Sequence, residues 1–232
     1  GRLADPGLPT GTDLRIGLLS AGMEGMLADS MDVRLRGMDA GLGFDIDLMQ
    51  KSSGTRLSSS GEFASNLTRL GLKTLRGTLL RQPLALEAPF EITSTSSGVT
   101  WRKAGLDFGP SRLRSQGSLS PGHADINAEL TDFDPAMLHP LFPHLPSAKV
   151  AARLRVTGNP SQPDAHLTAA ADDIRLEDSD FDSLGGLDAT ADVRLSQNLL
   201  QAQADLKAKS DIAITAQVSS PIDVDLLALE FD

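Results

Sequence analysis

The sequence contains no cysteine and no tyrosine, and it has one tryptophan and eight phenylalanines among 232 residues. Without cysteine, the chain has no disulfides, no thiolate metal ligands and no cysteine nucleophile. Large aromatic side chains usually fill the thick centre of a globular core. Because the apolar residues are mostly Leu, Ala, Ile and Val, the composition predicts a thin structure.

Long apolar runs are also missing. No stretch approaches the roughly 18 to 20 residues that a membrane-spanning helix requires. The first residues lack the basic and apolar regions of a signal peptide. If the protein is exported, we expect its targeting segment to lie elsewhere in a longer chain.

Basic residues are few and scattered. The chain has 21 Lys and Arg against 31 Asp and Glu, a formal net charge of −10 at pH 7. Nucleic acids and anionic membrane surfaces are bound by clustered Lys and Arg. The charge pattern therefore argues against both as partners.

The main positive signal is an alternation of apolar and polar residues with a period of two. This pattern is typical of a β-strand with one buried and one wet face. In the carboxy-terminal part it covers 150–156, 165–171, 187–195, 202–208, 212–218 and 222–226. Six such runs, separated by short polar turns, predict an all-β array.

The amino-terminal part carries the alternation less regularly, and two segments depart from it. Residues 67–80 have apolar side chains at a spacing close to that of a helix. Residues 134–145 could form a short helix, because Asp134 suits the N-cap position and Pro135 suits the first helical position. Pro140 and Pro143 would end this helix. We expect two short helical inserts that plug or cover an edge of the sheet.

These patterns predict three regions. Residues 1–12, rich in Gly and Pro, are interpreted as a linker or chain edge. Residues 13–145 form the amino-terminal part of the β structure with its inserts, and residues 146–232 form an array of long strands. The boundary is expected near Pro146.

Two groups of residues are candidates for metal binding. His139 and His144 lie close in sequence to Asp132 and Asp134, but their spacing matches no recurrent zinc site. The acidic cluster at Glu177, Asp178, Asp180 and Asp182 resembles the start of a calcium loop. Counted from Asp178, however, the sixth position is Ser and the twelfth is Ala instead of Gly and Glu. We interpret both groups as solvated loops.

Motifs of catalysis are missing as well. The sequence has no Gly-rich phosphate loop, no nucleophile elbow, and no Ser and Lys at catalytic spacing. Acidic pairs such as Asp45 and Asp47 fall on the outward face of a predicted strand, as solubility requires, whereas general acid catalysis calls for a buried carboxyl with a raised pKa. We expect the protein not to be an enzyme and to hold no cofactor or metal.

Four segments resemble the TamB family, the inner-membrane-anchored subunit of the translocation and assembly module, and the wider AsmA-like group of bridge proteins. They are 130–143, 151–163, 169–176 and 198–225, and residues 61–64, 82–86 and 101–108 fit the same style more loosely. The shared features are a short helix before a strand, a Gly followed by a Pro-led strand, and long alternating strands.

The resemblance implies a folded-over, taco-like curved β sheet with an apolar concave groove. It also implies a place in the periplasm and a role in phospholipid transport or outer-membrane protein assembly, including autotransporter secretion. The implied partners are phospholipid or strands of outer-membrane proteins, and an outer-membrane barrel of the Omp85 type. The family has no compact site, so no catalytic residue carries over.

The apolar face of the predicted strands is the candidate binding surface. The residues of this surface occupy the apolar positions of the alternating runs. They are Val150, Leu154, Val156, Leu167, Val193, Leu195, Leu206, Ile212, Ile214, Val218, Ile222 and Val224. Small alanines between them leave room for a ligand. The same pattern also fits the sealed core of a structural or adhesive β-solenoid, and this alternative stays open on the sequence.

Overall fold

The computed structural model describes residues 11–23, 26–142, 144–175, 186–208, 212–222 and 224–227. The described residues form fifteen β-strands and one 3-10 helix of four residues. The predicted all-β class is therefore confirmed. Within this part of the chain, no helix is long and apolar enough to cross a membrane.

The chain divides into two compact units, Gly1–Gly109 and Pro110–Asp232. Within each unit the strands pair antiparallel, and most pairs join strands that follow one another along the chain. The division predicted near Pro146 falls inside the second unit, and it stays a prediction. Most of the predicted linker at 1–12 lies outside the described residues.

The first unit contains eight strands. They are β1 (Asp13–Met23), β2 (Met26–Met38), β3 (Gly41–Gln50), β4 (Thr55–Ala64), β5 (Arg69–Leu79), β6 (Gln82–Leu86), β7 (Phe90–Thr95) and β8 (Gly98–Phe108). Both β6 and β7 pair with β5 on one side and β8 on the other. They are thus two halves of one strand position, interrupted at 87–89, where Pro89 has no N–H to donate.

The helix predicted over 67–80 is wrong, because this segment forms strand β5. A β-bulge explains the error. Ser60 pairs with Thr74 while the next residue, Gly61, pairs with Leu72, so Lys73 is an extra residue in β5. Apolar side chains at 70 and 72 before the bulge and at 75 and 79 after it then imitate a helical spacing.

A small aromatic and aliphatic core lies in the first unit. Phe44 and Leu84 are buried, and the rings of Phe44 and Phe63 lie 5.3 Å apart. Leu80 is also buried although it has a positive φ, as does the next residue, Arg81. Two such residues form the tight turn that a two-residue hairpin requires, so burial of Leu80 offsets an unfavourable backbone.

The second unit contains seven strands. They are β9 (Ser111–Ser120), β10 (His123–Phe133), β11 (Ser147–Asn159), β12 (Gln162–Arg175), β13 (Leu187–Ser196), β14 (Leu199–Ala208) and β15 (Ala213–Pro221). Each pairs antiparallel with the next. Two-residue turns such as Gln197 and Asn198, both with positive φ, join neighbouring strands into tight hairpins.

The second predicted helical insert is a single 3-10 turn, η1 (Pro135–Leu138). Asp134 caps it as expected, because its Oδ1 accepts a hydrogen bond of 3.0 Å from the Ala136 N–H. The same carboxyl oxygen accepts the Ala148 N–H at the start of β11. Met137 is buried, so the turn anchors this end of the unit.

One predicted strand does not form. Ile222 and the described residues from Val224 to Leu227 lie outside any strand. Pro221 ends β15, and the Leu226 N–H donates instead to the Pro160 carbonyl, 3.0 Å away. The carboxy-terminal array therefore has five of the six strands that the alternation predicted.

Candidate binding faces of the second unit

Strand register aligns the apolar side chains of β11 to β15 into four rows that cross the sheet. We call this side the apolar face. The rows are Val150, Ala171, Ala189, Leu206 and Ile214; Ala152, Ala169, Ala191, Ala204 and Ala216; Leu154, Leu167, Val193, Ala202 and Val218; and Val156, Ala165, Leu195, Leu200 and Ser220. Directly opposed side chains in neighbouring strands are close neighbours, so the first three rows are continuous apolar lines. The fourth row is apolar as far as Leu200 and ends at the polar Ser220 in β15.

One of these rows consists entirely of alanine, from Ala152 to Ala216. A methyl side chain rises less from the sheet than the Leu, Ile or Val side chains in the rows beside it. The result is a shallow trough. A hollow of about 340 Å³ lies beside it, lined by four of these alanines, Ala169, Ala191, Ala204 and Ala216, and by the row that runs from Val150 to Ile214.

Exposure increases across this face toward β15. Val156 of β11 is only 7% exposed, whereas Ile214 and Val218 of β15 are 58% and 59% exposed. Isolated exposed apolar side chains are common on proteins. Here they continue the rows of the neighbouring strands, so the face stays accessible to solvent at its β15 side.

Nine of the twelve predicted site residues lie on the apolar face. They are Val150, Leu154, Val156, Leu167, Val193, Leu195, Leu206, Ile214 and Val218. Ile212 precedes β15, and both Ile222 and Val224 follow it outside any strand. The alternation in the sequence indicated that these nine residues share a face, because they belong to regular strands. The binding role of the twelve residues stays a prediction.

A larger hollow, of about 920 Å³, which the sequence reasoning missed, is lined by polar side chains on the opposite side of the same strands. Residues of the apolar rows, namely Ala152, Ala169, Ala191, Ala202 and Val218, also contribute to its lining. A row of six polar side chains crosses its floor. Register aligns them one per strand from β10 to β15 as Glu129, Arg153, Thr168, Asp192, Gln203 and Gln217. We call these six residues the polar row. The small side chains of Ala151 and Ala170 flank it.

The charges near the polar row are paired with each other. Arg153 Nε donates to Glu129 Oε1 at 2.9 Å. Asp192 Oδ2 lies 2.9 Å from His166 Nε2, and Asp192 Oδ1 lies 3.0 Å from Arg194 Nε. The hydrogen bond from His166, assisted by Arg194, holds the pKa of Asp192 below its usual value.

Asp205 borders the same hollow. It accepts hydrogen bonds from the Thr215 hydroxyl and from the Gln203 amide, 3.0 Å away. These two bonds, with a smaller contribution from Lys207, lower the pKa of the Asp205 carboxyl. The carboxyls of Asp192 and Asp205 therefore favour their ionised form and already have hydrogen-bond partners.

The predicted candidates for metal binding are not brought together. His139 Nε2 lies 2.6 Å from the Leu145 carbonyl oxygen, and His144 is exposed. Over the residues whose placement is described, no group of three or more His, Cys, Asp or Glu could share a metal ion. The acidic cluster from Glu177 to Asp182 lies outside those residues.

Comparison with protein families, with curated proteins and with solved structures finds no match to this chain. The resemblance to the TamB and AsmA-like proteins therefore stays a prediction.

Proposed function

We propose that this chain is a periplasmic, non-catalytic segment of an inner-membrane-anchored bridge of the TamB type, which shields phospholipid acyl chains on its apolar face. One observation carries the proposal. Three of the four rows are apolar across all five strands, and two of their β15 members, Ile214 and Val218, are more than half exposed.

The dimensions of the face suit an acyl chain. Five strands spaced by about 4.8 Å cover about 19 Å from the first to the last. The hydrocarbon layer of one bilayer leaflet is about 15 Å thick, half of the whole. A chain lying across the strands in the trough between Ala152 and Ala216 would therefore fit within the sheet.

The energetics favour such binding. Each methylene removed from water contributes about 0.8 kcal/mol, and the exposed Ile214 and Val218 side chains would be covered at the same time. The charged headgroup would stay in water at the sheet margin. Transport in this view is passive, and its direction would be set by other components.

The resemblance adds the cellular context of the proposal. It suggests that the bridge ends at an outer-membrane barrel of the Omp85 type and that its clients include outer-membrane proteins. Among the described residues, β15 pairs only with β14, so a client strand could add to its outer edge. Lipid shielding remains our main proposal because the apolar rows support it directly.

Photo-crosslinking tests the proposal with neighbouring residues as controls. A photoreactive amino acid would replace Ile214 or Val218 on the apolar face, and Thr215 or Gln217 on the opposite face, in cells with radiolabelled phospholipid. We expect label at positions 214 and 218 and little at 215 and 217, because the period of two places the pairs on opposite sides of β15.

Two results would contradict the proposal. Equal label at all four positions would mean that lipid reaches the protein without selecting a face. No label at any position of the folded protein would instead favour the alternative, a structural or adhesive β-solenoid with a sealed core.

A further inference from the structure

The hollow on the polar side of β10 to β15 has no part in lipid shielding. Its volume of about 920 Å³ is more than twice that of the hollow on the apolar face. A hollow of this size is comparable to the sites that hold small ligands. Its lining is mixed, with Thr, Gln, Asp and Arg side chains beside the methyl groups of Ala151 and Ala170.

The side chains of the polar row are evenly spaced along this hollow. Neighbouring strands lie about 4.8 Å apart, so the row presents one polar side chain at each such step, from Glu129 to Gln217. A linear polymer with a similar repeat, lying across the strands, would meet one hydrogen-bonding group per unit. An extended chain of pyranose sugars has a repeat close to this spacing.

The charges of the hollow exclude strong attraction for an anion. Arg153 is engaged by Glu129, and Arg194 by Asp192. Phosphate binding calls for cations or N–H groups that are not already compensated. An anionic ligand would have to displace a carboxylate from each arginine, so the hollow is better suited to an uncharged ligand.

The groups that remain free are neutral. The side chains of Thr168 and Gln217 have no hydrogen-bond partner among the described residues. Gln203 uses its amide N–H₂ to contact Asp205, 3.0 Å away, which leaves its carbonyl oxygen as an acceptor. Hydroxyls and amides both donate and accept, and they match a ligand that carries hydroxyl groups.

We propose that the polar row binds an uncharged oligosaccharide that lies extended across β10 to β15. The sugar hydroxyls and acetamido groups would contact Thr168, Gln203 and Gln217, and the ring faces would lie over Ala151 and Ala170. No aromatic side chain lines the hollow, so stacking contributes nothing and the affinity is weak, with a Kd of about 1 mM.

Nuclear magnetic resonance titration of the full chain tests this site. The probe is fully N-acetylated chitohexaose, an uncharged β-1,4-linked hexamer, here called chitohexaose. The comparison ligands are maltohexaose, whose α-1,4 links give a curved chain, and inorganic phosphate. We expect the side-chain amide signals of Gln203 and Gln217 to shift with chitohexaose. Maltohexaose and phosphate should cause much smaller shifts.

Two adjacent alanines supply matched variants. Ala170→Leu fills the hollow beside the polar row, whereas Ala171→Leu makes the same change on the apolar face, at a residue that does not line the hollow. We expect Ala170→Leu to weaken chitohexaose binding by about 10-fold and Ala171→Leu to leave it unchanged. Should Ala170→Leu fail to fold, the double variant Thr168→Val with Gln217→Leu, which removes the free polar groups, gives the same expectation.

Three outcomes would overturn the proposal. The first is the absence of any shift at a sugar concentration well above the expected Kd. The second is binding that Ala170→Leu and the double variant leave intact, and the third is a preference for phosphate. The inference is independent of lipid shielding, because crosslinking at Ile214 reads the other face and can succeed or fail separately.

Discussion

The two units contain the same alternation of apolar and polar residues but fill their apolar sides differently. In the first unit, the ring of Phe44 lies against that of Phe63, and the large side chains of Phe44 and Leu84 are buried. In the second unit, alanine fills one whole row, and the buried residues include Ala124, Met137, Ala148, Val156 and Pro163, which lie in β10, η1, β11 and the start of β12.

This difference shows that alternation alone does not determine burial. Large side chains can fill the space above a sheet, and a filled space is a core. Rows of alanine leave that space empty, and the exposed side chains at β15 remain available for a ligand. The size of the apolar side chains, rather than their periodicity, therefore distinguishes a sheet face that packs into a core from one that stays open to a ligand.

The largest expected effect comes from truncating the core of the first unit. Phe44→Ala removes a buried ring that lies against Phe63, and it should lower the free energy of unfolding by about 3 to 5 kcal/mol. The matched change on the open face, Ile214→Ala, should cost less than about 1 kcal/mol, because Ile214 is 58% exposed.

Urea denaturation followed by tryptophan fluorescence measures this contrast. Trp101 is the single tryptophan and lies in β8 of the first unit, so its signal reports that unit. Far-ultraviolet circular dichroism reports the strands of both. Equal losses for Phe44→Ala and Ile214→Ala would mean that the two apolar sides are equally buried and would remove the basis of the comparison.

A smaller loss is expected at a glycine in the same core. A methyl group at Gly61 would lie 2.3 Å from the Gly71 carbonyl oxygen and 2.5 Å from Phe44 Cζ. Gly61→Ala should therefore cost about 1 to 3 kcal/mol through overpacking. Gly122→Ala is the control from the second unit, since a methyl group there meets nothing within 4 Å. A tolerated Gly61→Ala would show that the first core is loosely packed.

The regular strands of the second unit could be predicted from sequence because nothing interrupts their alternation. From Leu187 to Ser196 and from Leu199 to Ala208, every second residue faces the same side. Irregular strands could not be predicted so well. In β5, the extra residue Lys73 shifts the alternation by one, and the result imitates a helix.

Similar shifts occur where alternation is otherwise clean. The pairing register changes near Asp132 in β10 and near Asp173 in β12, and both residues have a positive φ. Such a bulge depends on partner strands that a single segment does not reveal. The polar row was missed for the same reason, because its members are far apart in sequence and only the register of six strands aligns them.

The open face should tolerate a charge that a sealed core would not. Ile214→Asp should change the free energy of unfolding by less than about 1 kcal/mol, since a carboxylate at this exposed position stays hydrated. The same variant should abolish lipid crosslinking from the probe at Val218. If the face is sealed, a buried charge should cost several kcal/mol instead, and circular dichroism would then show unfolding at a much lower urea concentration.

The smallest expected effect compares two carboxylates, one in each unit, under acid. A hydrogen bond from Lys73 lowers the pKa of Glu62 from its ordinary 4.5, and one from His166 lowers the pKa of Asp192 from 3.8. A carboxyl whose pKa is lowered in the folded state stabilises the folded protein at pH values above its unfolded-state pKa. This stabilisation is lost as the pH falls through its folded-state pKa.

Glu62→Gln should therefore lower Tm slightly at pH 7 and make no difference near pH 2. Asp192→Asn should act in the same way and by a similarly small amount, about 1 °C, because exposed ion pairs contribute little. A larger loss at Asp192 than at Glu62 would mean that the polar row is a rigid network and not a solvated face.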